Sequence, residues 1–175
     1  MNKYIQEYQK IVSTVVKKSF PSLKNKKIRI IEYGILTGPY YFFTSGFEAY
    51  LFGTHLVGFN IKLRKLKDSK EEVLNALIAH ELCHAEDHEK FKNDIEIIIH
   101  CIKYAISQIS GKSYCRITER KTDIQTIKKG YGKELLIMAK RREKRFSKKR
   151  LKWTYKRGYL SPKEIKKYIK QSKIK

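Results

Sequence analysis

A chain of 175 residues, 41% of them hydrophobic, suits one domain or one domain with an appendage and can bury a sizeable core. Its 40 Lys and Arg outweigh 17 Asp and Glu to give +23, and the excess is uneven: residues 140–175 hold 17 of the basic residues and two acids. Three cysteines exclude a paired disulfide framework, and no segment has the unbroken apolar run of a signal peptide or membrane span, so a reduced, cytoplasmic protein is expected.

Tyr4, Ile5, Tyr8, Ile11, Val12, Val15 and Val16 recur at helical spacing and predict an amphipathic helix over 3–19, ended by Pro21. The β-branched run IRIIEYGIL (28–36) reads as a strand. The aromatic, glycine-punctuated segment 37–63 reads as further strands of a small antiparallel sheet, with a turn at Gly53-Thr54. Ser69 and Glu72 form a capping-box pattern ahead of Val73, Leu74, Leu77, Ile78 and Leu82, so a helix follows. Residues 94–109 are apolar nearly all round and predict a buried helix that ends at Ser110-Gly111. Another helix runs from near Thr118 to Lys129 and stops at Gly130. A basic helix follows Gly132, and Ser161-Pro162-Lys163-Glu164 starts one more. The expected class is α+β: a small antiparallel sheet on a helical core over 1–139, with a basic helical extension over 140–175.

The chemistry concentrates in LIAHELCHAED, residues 77–87. His80 and His84 lie one turn apart on one helix face and can aim ring nitrogens at a common point. Catalytic zinc sites use three protein ligands, and Glu81 stands beside the pair, where a carboxylate can take a proton from an activated water. A shuffled chain of this composition carries such a motif roughly once in a hundred.

A third ligand must come from elsewhere. Position 90 is Lys90, which excludes the metzincin pattern. His88 is two turns from His80, about 12 Å along the axis, so it reads as solvated. His100 sits in an apolar helix and reads as a core histidine, whereas His55 falls in the strand region. Glu119 and Asp123 stand four apart in ITERKTDIQTIKKGYG, amid Arg116, Arg120 and Lys121, where an acidic pair on a solvated face is the bland alternative.

Glu-x-x-x-Asp after a helical spacer resembles the second motif of the gluzincins. The order of HExxH helix, apolar helix and ExxxD helix is similar to the core of the membrane-embedded CAAX-protease-type peptidases. It is more similar still to their small soluble relatives, the minigluzincins. The resemblance covers roughly residues 27–135. It implies a zincin-like fold, one Zn2+ per chain on His80, His84 and Glu119, Glu81 as the catalytic base, and Asp123 as the brace of a ligand histidine. It further implies that the strand His55, Leu56, Val57, Gly58, Phe59 and Asn60 is an edge that pairs with an extended peptide substrate. Transmembrane segments are absent, the basic tail has no family counterpart, and no residue clearly matches the family's oxyanion donor. Tyr131, Tyr114 and Arg120 are the candidates, with Tyr131 the first choice.

Trp153, Tyr155 and Tyr159 interleave with the positive charge of 140–175, which makes nucleic acid a candidate partner; a lysine-rich solvated face is the bland alternative. The same segment folded across the cleft would act as a latch. Two competing functions stand beside the gluzincin one. The first is a SprT-like protease acting on nucleic-acid-bound protein, with His100 as third ligand. The second is a non-catalytic basic nucleic-acid-binding protein.

Overall fold

The computed structural model describes residues 3–33, 46–51, 53–60, 71–110 and 113–172. They fall into two compact units, Met1–Phe91 and Lys92–Lys175.

In the first unit, helix α1 (Lys3–Ser19) buries Tyr8, Val12, Val15 and Val16, the stripe its periodicity predicts. A short 3-10 turn, Pro21–Leu23, drives Phe20 and Leu23 fully into the core. Strands β1 (Lys27–Tyr33), β2 (Gly46–Leu51) and β3 (Thr54–Asn60) form one sheet in the order β1-β3-β2. The α+β class holds, but the sheet is not purely antiparallel. β3 runs antiparallel to β2 and parallel to β1, with Lys27 opposite Thr54 and Tyr33 opposite Asn60.

Connectivity explains this geometry. β2 and β3 form a hairpin with Leu51 opposite Thr54, so Thr54 already belongs to β3, and Gly53 before it takes φ 75°. β3 lies between β2 and β1 and runs the same way as β1, so β1 and β3 are not joined by a hairpin. Helix α2 (Glu71–His88) packs on β2, β3 and α1 and is buried almost continuously from Leu74 to Ala85. Residue 69 of the expected capping box, residues 34–36 of the first expected strand, and residues 37–45 and 61–63 lie outside the described residues.

The second unit is helical: α3 (Asp94–Ser110), α4 (Ser113–Thr126), α5 (Gly132–Arg145), α6 (Lys148–Lys156) and α7 (Pro162–Ser172). Two sequence expectations change here. Helix α3 is not buried all round, since Ile95, Ile98, Ile99, Ile102 and Ile106 are exposed, Ile95 at 67%. Within its unit α3 packs chiefly on α4, and one neighbour covers only one stripe of a helix. Gly130 ends a helix as expected: its φ of 97° is non-helical and separates α4 and the turn that follows it, residues 127–129, from α5. Finally, the boundary expected at 139/140 falls inside α5, and the residues on both sides of it belong to this one unit.

The basic segment is therefore packed rather than appended. Leu160 and Ile165 are fully buried, α7 packs on α5, and Gly132 lies where a Cβ would meet Ile169 Cγ1 at 2.7 Å. The predicted helix start is real: Ser161 Oγ accepts the Glu164 N–H, and Ser161 N–H donates to Glu164 Oε2 at 2.9 Å.

Candidate metal centre

Helix α2 carries its polar motif on a nearly dry surface. His80 is 4% exposed, Glu81 3%, and His84 is partly buried; the two histidine rings meet edge-on with centroids 5.1 Å apart. Burying such groups is costly unless they are paired or bind an ion.

Helix α4 supplies the third group. Glu119 is 1% exposed, and the ligand atoms of His80, His84 and Glu119 all lie within 4.8 Å of one another. Metal–ligand bonds of about 2.1 Å place two ligand atoms up to about 4.2 Å apart, a span comparable with this separation, so the group could hold one metal ion. Two imidazoles and a carboxylate fit a metal ion well. The set suits zinc and equally the facial triad of non-haem iron, so the donors alone do not name the element.

Glu119 is held by a residue that the sequence did not single out. Tyr104 of α3 donates its hydroxyl to Glu119 Oε1. Burial, followed by the nearby Glu119 charge, pushes the Tyr104 hydroxyl well above its ordinary value, which keeps it a donor. The α3–α4 pairing is locked close by: Ser107 Oγ donates to Tyr104 O and accepts the Cys115 N–H at 2.8 Å. Burial and then Glu119 also raise the Cys115 thiol, against the opposing pull of Arg157. No spacing rule could have found Tyr104, because it stands 15 residues from Glu119 in a helix that reads as apolar.

Asp123, the expected brace of a histidine, is 1% exposed, and its Oδ2 accepts the Leu160 N–H at 2.7 Å. Of the candidate oxyanion donors, Tyr131 is buried directly after Gly130. Tyr114 bonds His100 Nδ1 at 2.7 Å, and Arg120 pairs with Glu164 at 2.8 Å. His88 is buried at 4% exposure, not solvated, because it lies on the inward side of the last α2 turn. His100 is only partly buried, so it is not the core histidine its apolar surroundings suggest.

The expected substrate strand, residues 55–60, is corrected. β3 is the central strand, and its backbone is paired to β1 on one side and β2 on the other. A central strand has no open edge to offer a peptide. His55 itself is fully buried, and its Nε2 meets Glu89 Oε1 at 2.8 Å, with Lys26 on the other oxygen of that carboxylate. Burial raises the Glu89 carboxyl, but hydrogen bonds from Lys26 and His55 outweigh it and leave the group below the usual carboxylate range.

Among the described residues no helix is long and apolar enough to cross a membrane, and Cys83, Cys101 and Cys115 form no disulfide. Comparison with known proteins found no matching family model, no matching curated protein and no matching solved structure.

Proposed function

We propose that the chain is a zinc-dependent endopeptidase of the gluzincin type, with His80, His84 and Glu119 as metal ligands and Glu81 as general base. The observation that supports this reading is the grouping of two buried donors, His80 and Glu119, with the partly buried His84 beside a buried glutamate. A neighbouring carboxylate is what hydrolysis needs and what an iron oxygenase does not, which favours zinc.

When bound, zinc supplies Lewis acidity, which lowers the pKa of water and polarises a carbonyl. The protein does the remaining work. Glu81 accepts the proton of the attacking water and returns it to the nitrogen of the departing amine. Tyr104 keeps one oxygen of Glu119 occupied, which fixes how that carboxylate is presented. An extended peptide or protein segment is the proposed substrate, and the sheet edges left for backbone pairing among the described strands are those of β1 and β2. A reducing, cytoplasmic setting is proposed from the three thiols.

Elemental analysis of protein purified without chelators should find one zinc per chain. Glu119→Ala should lose that zinc, and Glu81→Ala should keep it while hydrolysis falls by at least about 10²–10⁴-fold. Zinc retained in Glu119→Ala would move the third ligand to His100 and favour the SprT-like alternative. No metal, or iron in place of zinc, would end the peptidase reading.

A further inference from the structure

We infer that residues 157–164 form a clamp that sets Glu119 in position, so that metal binding and docking of this segment are one coupled event. The inference rests on the proposed metal site and adds to it a set of positioning residues, all within the second unit.

Arg116, Arg120 and Asp123 lie on one stripe of α4, at spacings of four and three, and Glu119 borders that stripe. Residues 157–164 meet every position along it. Gly158 comes so near that a Cβ there would sit 2.1 Å from the Arg116 carbonyl oxygen, and its φ of 104° is one that a side chain resists. Leu160 donates its backbone N–H to Asp123 Oδ2 at 2.7 Å. Glu164 holds Arg120 at 2.8 Å.

The segment is itself anchored from behind. Arg142 of α5 donates to Leu160 O at 2.9 Å, the Leu160 side chain is fully buried, and Glu164 caps α7 through Ser161. Helix α4 is thus gripped on one side by α3, through Ser107 and Tyr104, and along another by 157–164. A helix held at two lines cannot roll about its axis, and roll is the motion that would swing Glu119 out of reach of an ion. Ligand supports of this kind typically change metal affinity 10- to 100-fold.

Coupling is reciprocal: if the docked segment favours metal binding, bound metal must favour the docked segment by the same factor. Amide hydrogen exchange on the full wild-type chain, with and without added Zn2+, tests this without any substitution. Zinc should slow exchange in 157–164 as well as around His80, His84 and Glu119. Zinc bound at one per chain with exchange in 157–164 unchanged overturns the clamp and leaves the metal reading standing. No zinc binding at all removes both.

Gly158→Ala is the second arm, read by Zn2+ affinity and by the visible spectrum of the Co2+-substituted protein. Affinity should fall tenfold or more and the cobalt bands should shift, although no ligand has been altered. An unchanged affinity and spectrum in a folded Gly158→Ala protein overturns the clamp. So does a rise in activity at full affinity, which is the behaviour of a latch. If the variant does not fold, the wild-type exchange measurement decides.

Discussion

At the scale of single residues, the Tyr104 hydroxyl is the contact most open to a clean test. Tyr104→Phe removes one donor from a buried carboxylate and leaves the ring in place. Zn2+ affinity should fall roughly tenfold, as for other supports of metal ligands, and titration against a competing chelator would show it. The Lys26–Glu89–His55 group makes a second prediction, in acid. Its carboxyl lies below the ordinary value of 4.5 in the folded chain, so its stabilisation is complete above that value. It is lost as pH falls through the lower folded value. Thermal unfolding from pH 6 to pH 3 should show a steep loss of Tm that Glu89→Gln reduces; equal slopes in both proteins would discount the group. Legibility at this scale followed sequence distance. His80, Glu81 and His84 announce themselves because one helical turn joins them. Leu160, by contrast, meets Asp123 across 37 residues, and its contribution is a backbone N–H that every residue but proline possesses.

At the scale of elements, most helices were legible and their surroundings were not. The periodicity of α1 and the caps of α7 are local facts, fixed by side chains within a turn or two of each other. Whether a strand is central or an edge depends on where a hairpin returns, so the β3 sequence alone could not tell. The exposed isoleucines of α3 make the same point for burial: composition says what a helix could bury, and its neighbours decide what it does bury. Two glycines of the α4–α5 kink separate backbone from packing effects. Gly130 has open space around its missing Cβ but a φ of 97°, so Gly130→Ala should cost about 1–2 kcal/mol from backbone strain alone. Gly132 has helical angles but faces Ile169 at 2.7 Å, so Gly132→Val should cost about 1–3 kcal/mol by overpacking. A smaller Ile169 should rescue the second and leave the first unchanged in denaturant unfolding.

At the scale of the whole molecule, the +23 charge remains the most visible property, and packing changes how it reads. The aromatic residues of 140–175 have work inside their own unit. Arg157 lies 4.3 Å from the Trp153 ring, Arg142 5.4 Å from that of Tyr159, and Tyr155 donates to Glu143 at 2.7 Å. Burial and then Glu143 push the Tyr155 hydroxyl up to about 12. Rings engaged in this way are poor platforms for stacked bases, whereas Lys163, Lys166, Lys167 and Lys170 line an open groove. If these residues bind single-stranded nucleic acid, that association should accordingly be electrostatic. It should weaken steeply between about 50 and 200 mM salt, with little preference among bases. Strong base preference at high salt would restore the stacking role.

The docking of residues 157–164 on the Glu119 helix also has a consequence in time. A ribosome builds the chain from its N-terminal end, so both histidines and Glu119 are synthesised before Gly158 or Leu160. A nascent chain paused at that stage carries all three proposed donors with only part of the frame that would orient them. On the clamp proposal that frame is complete only once residue 164 has cleared the exit tunnel, which would tie the onset of metal retention to a late step of synthesis.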